Sequence, residues 1–195
     1  MDLSQFKWLN ESRLTVNGDS FTIYAPTKTD YYNNPVPYEG KLFEPMVNAP
    51  FLYTEVEGDF VARVRVTPNF ESEYDAACLM VLQDDNVWLK AAYELSNIGK
   101  ALVSVVTNGV SDDANGCSID AESVWLQVAR VGKNFAFHYS PDGEKYDMVR
   151  LCTLPVGSTV KVGVQAQSPH GGGGERGFYG LTVERRTVED LRVGA

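Results

Sequence analysis

The longest apolar run in the chain is residues 76–82, AACLMVL, apolar on both parities, as a strand covered on both faces reads. It predicts a central strand. Residues 83–86, QDDN, supply side chains that tolerate turn dihedrals, and residues 87–95 resume with a different pattern. Side chains alternate across a strand, so Val87, Leu89, Ala91, Tyr93 and Leu95 share one face, while Trp88, Lys90, Ala92 and Glu94 share the other. The first set is core. On the second face Lys90 and Glu94 stand four residues apart, roughly 13 Å along a strand, too far to pair directly. Their partners must come from neighbouring strands, water or a ligand.

The same periodicity sets the other elements. Residues 6–9 predict a short first strand, and 14–16 and 21–24 flank Asn17-Gly18-Asp19, with Asn-Gly suited to a type I′ hairpin turn. Residues 26–50 are interrupted by Pro26, Pro35, Pro37, Pro45 and Pro50 and carry Tyr31, Tyr32, Tyr38 and Phe43, the composition of a long functional loop. Strands follow at 51–57 and 59–67, the second alternating Phe60, Ala62, Val64 and Val66 with Val61, Arg63, Arg65 and Thr67. Residues 101–107 are a strand and 108–118, NGVSDDANGCS, a polar loop. Residues 124–130 and 135–139 make a hairpin across Gly132-Lys133, and strands at 146–154, 159–167 and 178–185 complete the series. Only 187–193 has the pattern of a helical turn. About a dozen strand segments without an amphipathic helix or a fixed repeat predict an all-β protein of two packed antiparallel sheets, one domain spanning residues 1–195.

Composition narrows the function classes. Seventeen basic against twenty-six acidic residues give a net charge of -9, which repels phosphate backbones and anionic membranes, so no nucleic-acid or membrane partner is expected. The N-terminus lacks a signal pattern and no run approaches the ~20 apolar residues of a spanning helix, so a cytoplasmic protein is expected. Cys78, Cys117 and Cys152 form no CxxC pair and predict neither a disulfide framework nor a zinc site.

Read in order, FKWLN, TDYYNNP at 29–35, GDFVARVRV at 58–66, the segment at 74–94, SVVTNGVSD at 104–112, FHYSPDGEKY at 137–146 and VGVQAQSP at 162–169 resemble the motifs of the domain of unknown function 1349. The resemblance spans nearly the whole chain and implies a concanavalin A-like lectin/glucanase jelly roll. It relates the chain to a group that includes a yeast regulator of enolase, and it implies a ligand groove on the concave sheet face. The chain departs from the pattern in two places: Ala77 and Cys78 stand where glycine is expected, and Asp113 where a tryptophan follows Ser-Asp.

On that footing the expected ligand-binding residues are Trp88, Lys90 and Glu94, with Asp30, Tyr31 and Tyr32 from the long loop and Asn108 and Asp112 from the 104–112 segment. An exposed Trp88 would stack on a sugar ring while the charged groups bond its hydroxyls. The partner classes are a carbohydrate or other small polar ligand, or alternatively a protein. A glycosidase needs two suitably spaced carboxylates. Residues 73–78, EYDAAC, resemble the glucanase signature ExDxxE, but Cys78 replaces its second glutamate, so retaining hydrolysis is disfavoured and a glycan-active enzyme is kept as the third reading. Asp112, Asp113 and Asn115 lack the bidentate glutamate of a calcium loop, and His138 and His170 lack patterned acidic partners. The run 171–174 lacks the lysine and helix of a phosphate cradle. No metal and no cofactor are expected.

Overall fold

The computed structural model describes residues 3–34 and 44–194. Their regular elements are all strands, in two seven-stranded antiparallel sheets and a two-stranded ribbon. The first sheet runs β1 (Lys7–Leu9), β6 (Phe51–Glu57), β15 (Thr159–Gln167), β8 (Ala76–Asp84), β9 (Val87–Ser96), β10 (Gly99–Asn108) and β11 (Val110–Ser118). The second runs β14 (Asp147–Thr153), β13 (Asn134–Ser140), β12 (Val124–Val131), β7 (Phe60–Thr67), β16 (Gly174–Glu184), β3 (Ser20–Ala25) and β2 (Leu14–Asn17). β4 (Tyr31–Tyr32) and β5 (Met46–Val47) form the ribbon.

β8 is the middle strand of the first sheet, which accounts for apolar residues on both parities: Ala77, Leu79 and Val81 enter the core between the sheets, while Ala76, Cys78, Met80 and Leu82 enter a second cluster on the outer face. The inner core is closed from the second sheet by Phe60, Ala62, Val64 and Val66, the buried set predicted for that strand. β6 and β7 are joined through Gly58, φ +78, yet lie in different sheets. At Gly163 the β6 and β15 backbones approach so closely that a Cβ would stand 1.9 Å from the Leu52 carbonyl oxygen, a place only glycine can fill.

Three local expectations change. The first hairpin turns at Gly18-Asp19, because Asn17 pairs with Ser20 and only Gly18, at φ +62, takes a left-handed conformation among these turn residues, the pattern of a II′ rather than a I′ turn. Of the expected polar loop 108–118, Asn108 ends β10 and residues 110–118 are the edge strand β11, exposed at nearly every position and therefore without the apolar alternation that marks a half-buried strand. Residues 191–194 form turns rather than a helix. Pro35, Pro37, Tyr38 and Phe43 of the long loop lie outside the described residues.

Candidate functional site

Both faces of β9 are buried. Leu89, Ala91 and Tyr93 join the inner core as predicted, but Trp88 and Lys90 are only 1% and 2% exposed and Glu94 only 7%. The outer face of the first sheet is thus roofed by the flanks of the long loop. Asn10, itself in a left-handed conformation, ties this roof down, its Nδ2 donating to the carbonyls of Val47 and Ala49 and to the Tyr31 hydroxyl. A bridge between Thr29 and Ser168 fixes the other margin.

Beneath the roof, small side chains leave room for long polar ones. Ala76 and Ala101 flank Glu94 across the sheet, and Cys78 and Val103 flank Ala92. Lys90 Nζ reaches Asp30 Oδ1 at 2.7 Å and donates to Gln167 Oε1 at 2.7 Å. The Gln167 oxygen also accepts from Gln165, and its amide nitrogen donates to the Tyr74 carbonyl at 3.0 Å and contacts Glu94 Oε2 at 3.5 Å. One glutamine therefore links the cation, the acid and a backbone carbonyl. Tyr74 holds that carbonyl in place with a φ of +65, a strained conformation for a bulky residue, and its ring meets His170 edge-on.

The charges follow from this packing. Burial works to lower the Lys90 pKa but is outweighed by Asp30, with Cys78 and Glu94 adding to the rise, so Lys90 stays cationic. Burial pushes Glu94 up to about 8, opposed by Lys90 and reinforced by Asp30 and Asp113, so it carries a proton at neutral pH. Burial likewise raises the Cys78 thiol, which remains protonated. The Tyr32 phenol is raised by burial and by the charge of Asp113, against the hydrogen bond from Asn34, and its ring packs on the outer cluster.

The sequence-predicted residues divide accordingly. Lys90, Glu94, Asp30, Tyr31 and Tyr32 come together on one roofed face. Trp88 is on that face but is no exposed platform, being packed under Tyr31 in the second cluster; the half-buried Tyr32 has the aromatic position nearer solvent. Asn108 is an exposed strand end paired with Val87 and Val110, away from the charged cluster. Asp112 is also displaced, because its register partner Val106 faces the inner core, and it pairs with Arg150 of β14 at 3.1 Å. Its neighbour Asp113, opposite Val105, has the parity of the outer face. Gln165, Gln167 and Asp113 share this face and are not among the residues expected from the sequence. The two glutamines were legible as polar residues two apart in the apolar C-terminal half of β15.

Of the glucanase-like segment, Glu73 is exposed, while Asp75 is fully buried, ion-paired with buried Arg176 at 2.9 Å and accepting from the amides of Glu71 and Ser72. The two therefore assemble no carboxylate pair. Two open hollows lie elsewhere, one near Phe70, Lys100 and Glu122, the other near Gln5, Glu55 and Arg185, neither of them part of the Lys90 network. Among the described residues no cluster of histidine, cysteine or carboxylate ligands is arranged for a metal, and no helix is long and apolar enough to cross a membrane.

The model of the protein of unknown function family DUF1349 matches residues 8–186. The chain belongs to the DUF1349 family. This DUF1349 chain is 33% identical over 174 residues, 88% of its length and 85% of the relative's, to the Saccharomyces cerevisiae protein named Regulation of enolase protein 1. It is also similar to a crystal structure of a functionally unknown protein from Saccharomyces cerevisiae, at 32% identity and TM-score 0.83, covering 94% of this chain and 97% of that one. A carbohydrate-binding module CBM66 from Bacillus subtilis shares the fold, at 13% identity and TM-score 0.61, with 92% and 95% of the chains covered. So does part of the GH43 protein BlXynB from Bacillus licheniformis, at 14% identity and TM-score 0.67, where the match covers 95% of this chain and 40% of that one. These likenesses agree with the concanavalin A-like sandwich expected from the sequence.

Proposed function

We propose that this DUF1349 protein is a lectin-like binding domain that takes a carbohydrate or other small polar ligand on the outer face of the first sheet. The observation that carries the reading is the buried network of Lys90, Gln167, Glu94 and Asp30, ionisable and amide groups held on a sheet face under a tyrosine-bearing roof. Placing such groups out of water is costly, and a plain structural surface gains nothing from it; a site for hydroxyl groups does. Lys90 supplies donors, Glu94 a carboxyl group and Tyr32 an aromatic face. The fold likeness to a protein named as a carbohydrate-binding module supports the same reading.

The test is a glycan array followed by titration calorimetry on the best binders. Binding that is lost in both Lys90→Met and Tyr32→Ala, each shown to be folded, is the expected result. Binding unaffected by either variant would place the ligand elsewhere. The name of the yeast relative favours a second reading, a regulatory domain that binds a protein. A stoichiometric protein partner whose binding survives both substitutions, with no glycan binding, would establish that alternative.

A further inference from the structure

On the footing of that reading, we propose that the ligand is a neutral polyol, selected against anions, and that the Glu94 carboxyl serves it as a hydrogen-bond donor. The charges of the Lys90 network are already matched or negative. The ammonium within it is held by Asp30 and Gln167 at 2.7 Å each, so its charge is countered by a carboxylate before any ligand arrives; Lys161, on the same sheet face, stands opposite Glu55 and over the Tyr53 ring. What remains towards the ligand is acidic: Glu94 itself, Asp113 on β11 and, beyond the ion pair, Asp30.

The groups around Glu94 give its carboxyl no cation of its own. Lys90 stands on the same strand and is bonded elsewhere; Asp113 and Asp30 approach from β11 and the roof; β8 and β10 present Ala76 and Ala101 beside it. β15 presents Gln167, whose amide nitrogen has its shorter bond to the Tyr74 carbonyl, 3.0 Å against 3.5 Å to Glu94. A carboxylate buried in this way is better neutral than ionised. The raised pKa of about 8, set first by burial, agrees with the geometry.

A neutral carboxyl group offers one O–H donor and acceptor oxygens, the complement of a sugar hydroxyl, which also donates and accepts. A uronate or sulfate would instead bring a further negative charge beside Asp30 and Asp113, where like charges oppose it.

The experiment measures binding of neutral gluco-, xylo- and manno-oligosaccharides, and of carboxylated and sulfated counterparts of the same backbones, by calorimetry from pH 6 to 9.5. Neutral probes are expected to bind at least tenfold more tightly than their anionic counterparts. Their affinity is expected to hold below about pH 8 and then fall about tenfold per pH unit as the donor is lost. In Glu94→Gln, which keeps a donor and an acceptor, affinity is expected to stay within a few-fold of wild type and become flat with pH. Carbon-detected NMR of the wild-type Glu94 carboxyl gives a readout that needs no variant, with titration expected well above the ordinary carboxylate range. Equal or tighter binding of anionic probes, a pH-independent wild type, or Glu94 titrating near the ordinary value would each overturn the proposal while leaving the site in place. Failure of every saccharide, neutral and anionic, would overturn it together with the carbohydrate reading.

Discussion

Tyr31 and Trp88 meet edge to face, with ring centroids 5.8 Å apart and planes at 80°, so the roof loop and the sheet share one aromatic contact. Trp88 is therefore a core residue of the outer cluster. Trp88→Ala is expected to cost about 3 to 5 kcal/mol, the range for a buried aromatic truncated to alanine. Tyr32→Ala, one residue beyond Tyr31 and only half-buried, is expected to leave most of the stability in place. Urea denaturation of the two variants checks this, and equal losses would contradict the assignment.

Lys90 and Asp30 form a pair in which the cation is buried and the acid is 14% exposed. Asp30→Ala leaves the ammonium beneath the roof with Gln167 as its remaining hydrogen-bond partner, and a loss approaching the about 3 to 5 kcal/mol typical of a broken buried pair is expected. Adding Lys90→Met should restore a large part of it. A double-mutant cycle reads the coupling directly, and additive losses would show that the pair is not what holds the roof.

Asp75 and Arg176 are both fully buried and 2.9 Å apart, and Arg176 Nε also donates to the Gln167 carbonyl at 3.2 Å. Burial lowers the Arg176 pKa against the pull of Asp75, yet the guanidinium stays charged. Asp75→Asn is expected to cost about 3 to 5 kcal/mol in chemical denaturation. A glycosidase role for Asp75 would instead leave stability near wild type and remove turnover.

His138 is buried on β13, its Nε2 bonded to the Leu191 carbonyl at 2.9 Å and its Nδ1 facing Gln127 Nε2 at 3.2 Å. Burial lowers its pKa, opposed by the Leu191 and Arg192 carbonyls and aided by Arg63. The unfolded chain therefore takes up the proton first as pH falls. The His138 contribution is fully present above the unfolded value of about 6.5 and is lost below it, towards the lower folded value. Hydrogen-exchange protection factors in residues 187–194, which are corrected for the intrinsic pH dependence of exchange, are expected to fall between pH 6.5 and 5 in the wild type, more than in His138→Phe.

What the sequence made legible follows from burial. Alternation marked β7 because one side of it meets the inner core, and the two-parity apolar run of β8 marked a central strand. β11 escaped notice because exposure on both faces leaves no period to read. Trp88, Lys90 and Glu94 were correctly placed on one face of β9, but periodicity within a strand cannot show what covers that face. The roof comes from residues some sixty positions earlier, Asp30 reaching Lys90, and the glutamine that links the network comes from 77 positions later. The same limit explains Asp112: its parity follows from pairing with β10, which its own segment does not disclose.

Asp30 also accepts, through its backbone carbonyl, the amides of Asn48 and Ala49, so the residue that neutralises Lys90 joins the two flanks of the roof. Lifting the roof and uncovering the ammonium are therefore one event. On the proposed site, a ligand that takes a hydrogen bond from Lys90 itself would have to await that event or induce it, so that entry would be gated rather than a simple collision. If opening precedes binding, the observed association rate levels off at the opening rate as ligand concentration rises, and the plateau reports the lifetime of the Lys90–Asp30 contact.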